Sequence, residues 1–572
     1  MTISGGDILL EAFQSQDVEC IFCSPGSEWV AVWENLLKRY DQGEKTLKYV
    51  NCRHESLAVS SAIGYAEATG HLPAVLLHTG VGTLHSAMAI RAAYRGRVPM
   101  IICSAGTPDH GEDENSKGPG WYWLSQLSGI EGPDALVRSY VKWSNAVTSK
   151  ETLVDSIYRG CQIAQTPPRG PVFLTVPGEL LSKPLPEVSK TRLSSTAVLS
   201  EPHPRDLEKV AKLLVESKQP IIITEHAGER SETVGKLVEL AELLSIPVFE
   251  SISPAYANFP KDHPLHMGYD ASEALHEADT VFVVGGTTPW YPPSTSPPNE
   301  ARVIYLDEDH LKEQLPYWGY RIDLSLSGDI GQWLTSLVAT IRTYIPEPDR
   351  SGSHYQERFT QWQTKHEQMV AQWKTEALAG QRNKPISPKW FLSIVNKVLP
   401  SNSIVVAETI THTPLVNRYL TKPDACFRAA GGGLGLGLGM TAGVKLACEN
   451  RPVIFLVGDG SFNYNPVLAG LGLCQEYHLP VVIIVLNNGG YMAMRGNYQQ
   501  CYPNGWAVSH NAYLGVDIAP EPDYTKVAEA FDAHGERLAE PDDIEPALNR
   551  ALQQIAMGKV ALLDVILDPR LI

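Results

Sequence analysis

Residues 452 to 491 read "PVIFLVGDGSFNYNPVLAGLGLCQEYHLPVVIIVLNNGGY". "PVIFLV" is a short β-branched apolar run stopped by glycine, "NPVLAGLGLCQEYH" has the pattern of a helix, and "PVVIIVL" is a second buried run. Together they make a βαβ unit of the usual ~30 residues. Parallel strands joined by a crossover end on one edge of their sheet. Asp459 and the pair Asn487 and Asn488 are therefore expected side by side, at the edge where open α/β sheets bind ligands.

A carboxylate, an asparagine carbonyl and a backbone carbonyl from a glycine turn are hard oxygen donors. They suit Mg²⁺, which prefers octahedral oxygen and completes its shell with substrate phosphates. Ser461 and the amides after Asp459, beginning with Gly460, can hold those phosphates, and Tyr464 offers a further donor. Taken singly, "GDG" more often marks a turn and "NN" before glycine a hairpin. Their joint placement within one crossover is the informative observation.

Working outward, short apolar runs ("VECIFC", "PAVLLH", "VPMIICSAG", "GPVFLTVP") alternate with helical patterns over residues 1–185, the signature of a parallel sheet covered on both faces. A polar, proline-bearing stretch separates these from a second alternating set over 200–345, with "PIIITE", "IPVFES", "DTVFVVGG" and "ARVIYLD" as strands. An amphipathic helix follows, with Tyr355, Phe359, Trp362, Met369 and Trp373 on one side. A third set occupies 380–572. The expected fold class is α/β, with three doubly wound parallel-sheet domains.

Composition excludes several classes. The 572 residues are 43% hydrophobic, enough for several cores. A net charge of −17, spread along the chain, repels phosphate backbones and anionic membranes, so no nucleic acid or membrane partner is expected. No run of about 18 apolar residues and no signal-like N-terminus occurs, which makes a cytoplasmic protein the expectation. Among nine cysteines the close pair Cys20 and Cys23 lies in a strand pattern that points the two to opposite faces, so neither a disulfide framework nor a zinc site is indicated.

GDG, 26 intervening residues and NN resemble the thiamin diphosphate fingerprint of the pyruvate oxidase, acetolactate synthase and benzoylformate decarboxylase superfamily. "SPGSEW", "RHESLAVSSAIGYAEATG", "LHTGVGT", "GPVFLTVP", "AAGGGLG" and "PDYTKVAEAFDAHG" are similar to family segments, in the family's order. The resemblance implies thiamin diphosphate and Mg²⁺, with the metal held by Asp459, Asn488 and the carbonyl of Gly490. It implies that residues 1–185 hold the pyrimidine, 200–345 form a central domain and 380–572 hold the diphosphate. It also implies a homodimer or homotetramer with sites between subunits.

The same resemblance assigns the remaining site residues. Glu55, which alone reads as an acid complementing a helix N-terminus, would bind the aminopyrimidine, with a pKa expected to be raised by desolvation. Leu434 would support the folded cofactor within a glycine run, and the carbonyl of Gly432 would accept from its amino group. His78 resembles a catalytic histidine of benzoylformate decarboxylase and Ser27 its carboxylate-binding serine; the alternative for His78 is a packing residue at a strand end. A rival nicotinamide-dependent oxidoreductase rests on "GLGMTA" (Gly437 to Ala442), which fits G-x-G-x-x-A but leaves Asn487, Asn488 and Glu55 without roles.

Three departures bear on the reaction. No second histidine follows the middle-domain strand in "GGTTPWYPPSTSPP", near residue 110 only His110 occurs, and Met494 stands where pyruvate decarboxylase has a glutamate. With few acids nearby, decarboxylation of a 2-oxo acid followed by carboligation to an aldehyde or ketone is expected, as in acetolactate synthase. A simple decarboxylase releasing an aldehyde is the alternative. The proline-rich "TTPWYPPSTSPP" does not resemble a flavin segment, so no FAD is expected. Ile410, Met492 and Met494 are candidates to shape the acyl pocket. Trp121, Tyr122, Trp123, Trp290 and Tyr291 either line an entrance or simply pack.

Overall fold

The computed structural model describes residues 3–106, 131–185, 201–251, 254, 256–291, 295–345, 353–423, 425–428 and 432–570. His110, Trp121, Tyr122 and Trp123 lie outside these described residues.

Three parallel sheets follow one another along the chain. The first holds β1 (Cys20–Cys23), β2 (Lys48–Asn51), β3 (Ala74–Leu77), β4 (Met100–Gly106), β5 (Trp143–Ala146) and β6 (Pro171–Pro177), in the order β2-β1-β3-β4-β6-β5. The second holds β7 (Pro220–Thr224), β8 (Val248–Glu250), β9 (Thr280–Val284), β10 (Arg302–Asp307) and β11 (Leu324–Ser327), ordered β8-β7-β9-β10-β11. The third holds β12 (Ile404–Glu408), β13 (Ala425–Arg428), β14 (Val453–Gly458), β15 (Val482–Asn487), β16 (His534–Leu538) and β17 (Ala561–Ile566), ordered β13-β12-β14-β15-β17-β16. The first and third sheets thus repeat one topology. In each, the chain reverses direction between its first and third strands, which opens a crevice at their C-terminal ends.

The central strands are apolar on both faces because helices cover both sides. Cys20 and Cys23 show the alternation: Cys20 packs in the core shared with the third sheet, Cys23 in the core on the opposite face. Burial raises both thiols to about 12, which keeps them protonated and inert.

The first and third sheets are joined through α1 (Glu55–Thr69), which follows β2, while α2 (Gly80–Arg95) follows β3. A long helix, α3 (Ser353–Ala379), carries Tyr355 and Trp362 into the middle core and Ala377 into the core of the third sheet. Next comes α4 (Gly437–Ala447), which lies against α1 almost backbone to backbone. A Cβ on Gly439 would sit 1.9 Å from the Ser60 hydroxyl, and one on Gly443 would sit 1.9 Å from the Ser61 carbonyl. Both glycines of "GLGMTA" are therefore buried within a helix, Gly437 against Phe455 of β14 and Gly439 against α1, with neither left to cradle a dinucleotide. This overturns the basis of the nicotinamide reading.

The middle domain is tied to the first by charge. Asp307 at the end of β10 is fully buried and accepts from Arg97 Nη1 (2.9 Å), Lys312 Nζ (2.9 Å) and the Tyr305 hydroxyl (3.0 Å). Burial alone would raise its pKa, but Arg97 and Lys312 hold the carboxyl well below the usual carboxylate range. Trp290 sits in the middle core, 5.1 Å from the ring of Tyr320, so packing is its role; Tyr291 is exposed. Among the described residues no helix is long and apolar enough to cross a membrane.

Candidate active site

The βαβ unit that opened the sequence reading is β14, α5 (Asp459–Tyr464), α6 (Val467–Glu476) and β15. β14 and β15 pair in parallel with Gly458 opposite Leu486, which puts Asp459 and Asn488 at adjacent strand tips. Asp459 is 2% exposed. Burial raises its carboxyl to about 6 against the pull of hydrogen bonds from the Gly460, Gly490 and Gly489 amides. The Gly460 amide thus faces the carboxylate of Asp459 rather than open space.

The glycine turn is held rigidly. Gly489 has φ +75°, in the left-handed region. The Gly489 carbonyl accepts from Ile518 N (3.0 Å), and Tyr491 N donates to the Val516 carbonyl (2.8 Å). Side-chain bulk is excluded too: a Cβ on Gly490 would lie 2.4 Å from the Val516 carbonyl, and one on Gly460 2.8 Å from the Tyr491 ring. Asn487 faces away from this cluster. Its amide donates to Asp564 (2.9 Å) and Glu521 (2.8 Å), and its Oδ1 accepts from Gly489 N (3.1 Å), so it anchors the turn while Asn488 remains at the tip.

Glu408, at the end of β12, was not singled out by the sequence. It is 5% exposed, and its carboxylate accepts from Gly435 N (2.7 Å), Leu436 N (2.9 Å) and Asn465 Nδ2 (2.7 Å). It thereby fixes the loop that carries Gly432, which is exposed with φ +71°, and the half-buried Leu434. On its other side this loop touches the first domain, where a Cβ on Gly433 would meet Met88 Sδ at 2.2 Å.

The second set of site residues stands on the first sheet. Glu55 opens α1, and its carboxylate accepts from His85 Nδ1 (2.9 Å) on α2. The expected upward pKa shift is reversed. Desolvation pushes the carboxyl up, but hydrogen bonds from its own amide and from His85, with the charges of His85 and His54, outweigh it and hold it below the usual value. Ligand atoms of His54, Glu55 and His85 lie within 4.8 Å of one another. His85 lies on α2 seven residues beyond His78, which precedes that helix, a pairing that single-residue motifs do not flag.

His78 and Ser27 each follow one of the paired strands β3 and β1, at the crevice between them. Ser27 begins a single 3₁₀ turn (Ser27–Trp29) and is exposed. His78 is half-buried, with Nδ1 2.7 Å from Glu28 Oε1. A Cβ on Gly82 would lie 3.1 Å from His78 Cβ and 3.3 Å from Glu55 Cγ, so His78 and Glu55 flank one glycine. Tyr464 (59%), Ile410 (52%) and Met494 (48%) are exposed, while Met492 is buried.

The residues present fit a divalent cation bound with a diphosphate. The donors are all oxygen, the Asp459 carboxylate is buried, and open space lies beside Gly458 and Gly489 at the strand tips.

Sequence comparison agrees with this geometry. Residues 3–125 match the thiamine pyrophosphate enzyme N-terminal TPP binding domain, 207–337 the central domain and 409–565 the C-terminal TPP binding domain. The chain is 24% identical to acetolactate synthase isozyme 3 large subunit of Escherichia coli K12, over 99% of this chain and 95% of that one. It is 27% identical to benzoylformate decarboxylase of Pseudomonas aeruginosa, over 97% of each. The solved structure of a 4-hydroxybenzoylformate decarboxylase from Rhodococcus jostii RHA1 superposes with a TM-score of 0.79 over 99% of both chains at 22% identity, a likeness of fold. The chain belongs to the thiamine pyrophosphate enzymes, whose three α/β domains it contains in order.

Proposed function

We propose that this enzyme decarboxylates a 2-oxo acid and joins the remaining acyl group to an acceptor aldehyde or ketone, using thiamin diphosphate and Mg²⁺. Asp459, Asn488 and the Gly490 carbonyl would hold the metal, and Ser461 and Tyr464 the diphosphate, the Gly460 amide being taken by the Asp459 carboxylate. Gly432, Leu434 and Glu55 would hold the remainder of the cofactor. When bound, thiamin diphosphate supplies a nucleophilic carbon and an electron sink for the departing CO₂. Glu55 would hold a proton at the aminopyrimidine ring, for which its low pKa must rise once the cofactor and a second subunit displace water and His85 from the carboxylate.

The observation that carries carboligation is the lack of an acid at two exposed positions. Met494, at the start of α7 (Met492–Cys501) just past the metal turn, and Ile410, just past β12, are exposed and bear no ionisable group, which favours attack on a second carbonyl over protonation. One observation favours the alternative, a decarboxylase that releases an aldehyde: His78, whose contact with Glu28 raises its pKa, is a proton donor beside Glu55.

Products formed from pyruvate and from benzoylformate, with and without an added aldehyde, distinguish the two by mass spectrometry. A hydroxyketone is expected when the aldehyde is present; free aldehyde alone would favour simple decarboxylation. Glu55→Gln should retain cofactor binding and lose at least ~100-fold in turnover. Unchanged turnover would remove Glu55 from the reaction.

A further inference from the structure

We propose that Glu28 is the positioning residue of a Glu28–His78 pair: it grips Nδ1 of His78 and fixes Nε2–H toward the cleft shared with Glu55, as a cationic donor to the keto oxygen of the 2-oxo acid. The proposal rests on the functional reading above for the identity of the substrate. The pair itself rests on geometry.

His78 Nδ1 lies 2.7 Å from Glu28 Oε1. A carboxylate only accepts, so Nδ1 carries the proton, and in the cation Nε2 on the ring's opposite edge carries the other. Glu28 is 5% exposed and its Oε1 also accepts from Thr79 N (3.2 Å), the residue after His78. Its Oε2 is buried with no hydrogen bond among the described residues, so the charge of Glu28 is answered chiefly by His78.

The surrounding backbone is shaped to this carboxylate. A Cβ on Gly26 would stand 2.5 Å from Glu28 Oε1, so a side chain there would have to displace the carboxylate. Trp29, the next residue, donates its indole N–H to the Leu77 carbonyl (3.0 Å), and the Ser104 hydroxyl donates to the His78 carbonyl (3.3 Å). Both partners are thus fixed at the crevice between β1 and β3, where doubly wound sheets bind ligands. His78 remains 34% exposed by side chain, which leaves its outer edge accessible.

The charged groups acting on His78 among the described residues are Glu28, from the turn after β1, and Glu55, from α1. The Glu28 hydrogen bond is the larger influence, and the two acids hold His78 above its usual value against desolvation. A preorganised cation aimed at an oxygen that gains negative charge stabilises that charge without reorganisation.

The test uses the full-length enzyme with histidine ¹³C-labelled at Cε1, with His78→Asn identifying the resonance. In the cofactor-free enzyme His78 should titrate above 6.5, and Glu28→Gln should lower its midpoint by about one pH unit. In the holoenzyme the alkaline limb of kcat/KM should move down by the same interval, with Glu28→Asp between the two. An unmoved His78 midpoint in Glu28→Gln overturns the pair. A uniform loss of activity with a stationary limb overturns the positioning role and leaves Glu28 purely structural. Should Glu28→Gln fail to fold, Glu28→Asp decides: a smaller shift in the same direction is expected, and no shift rejects the pair. Absence of any turnover by the wild-type enzyme with thiamin diphosphate would reject the functional reading, while the resonance titration still decides the pair.

Discussion

Replacement of Glu408 separates two ideas about the glycine loop, that it is held by a specific acceptor or that it is simply enclosed. The Glu408 carboxylate takes three hydrogen bonds, from Gly435 N, Leu436 N and Asn465 Nδ2. Alanine leaves all three buried donors unmet. At about 1–1.5 kcal/mol each the loss is about 3–5 kcal/mol, reduced by the cost that burial imposes on the carboxylate itself. That cost is visible in the raised pKa of Glu408, whose largest cause is desolvation.

Glutamine is the sharper perturbation, because it keeps the shape and changes one edge from acceptor to donor. Whichever way its amide turns, either the Gly435 and Leu436 amides or the Asn465 amide faces an N–H group. Asn465 cannot rotate to compensate: its Oδ1 already accepts from Leu438 N (3.0 Å) and its Nδ2 also donates to the Ser461 carbonyl (2.9 Å). Glu408→Gln should therefore cost about 1–2 kcal/mol. If that energy is lost from the loop bearing Leu434, thiamin diphosphate should bind about 5–30-fold more weakly. Thermal unfolding with and without cofactor, and quenching of tryptophan fluorescence on titration with thiamin diphosphate and Mg²⁺, read the two effects. Wild-type melting and wild-type affinity in Glu408→Gln would refute the reasoning. So would an alanine variant at least as stable as the wild type, since the carboxylate would then be a net burden.

Two predictions concern the middle domain. Asp307→Asn leaves Arg97 and Lys312 without their buried counter-charge and should destabilise by about 3–5 kcal/mol in urea unfolding; a loss below about 1 kcal/mol would show that the network is dispensable. Burial, with Glu229 beside it, raises Glu308 to about 7, well above its unfolded value, so the folded state binds the extra proton. The contribution of Glu308 to stability therefore falls as pH rises from about 4.5 to about 7 and is level above that. Glu308→Gln should gain on the wild type across that window, approaching about 2–3 kcal/mol above pH 7; a difference that is constant with pH would reject the raised pKa.

What could be read from the sequence and what could not divide along a physical line. Asp459 and Asn488 were legible because one crossover contains both, and the periodicity of two strands and a helix fixes where their ends lie. Glu28 and His78 are 50 residues apart, and Glu408 and Asn465 57. Each pair meets only because the third strand of its sheet returns to lie beside the first, a strand order that periodicity does not encode. The reversed pKa of Glu55 has the same origin, since His85 reaches it from the next helix across 30 residues. "GLGMTA" failed differently: the spacing of its glycines suits a phosphate loop or a close helix contact equally. The deciding information lay in α1, where Ser60, Ser61 and Gly64 supply the small surface that Gly439, Met440 and Gly443 meet.

The repeated topology connects these misses. In both outer sheets the chain reverses between its first and third strands, so the residues just past those strands converge whatever their separation in sequence. In the first sheet those positions hold Ser27, Glu28 and His78; in the third they hold Glu408 at the tip of β12 and Asp459 after β14. An acid stands at each crevice, yet the two do opposite work. Glu28 engages the ring of a histidine and leaves that ring's outer edge exposed, whereas Glu408 is enclosed by backbone and asparagine amides and immobilises a loop. The difference follows from what faces each carboxylate: a group that can ionise on one side, and only fixed N–H donors on the other. For that reason Glu28→Gln should move a pH profile, while Glu408→Gln should change stability and cofactor affinity.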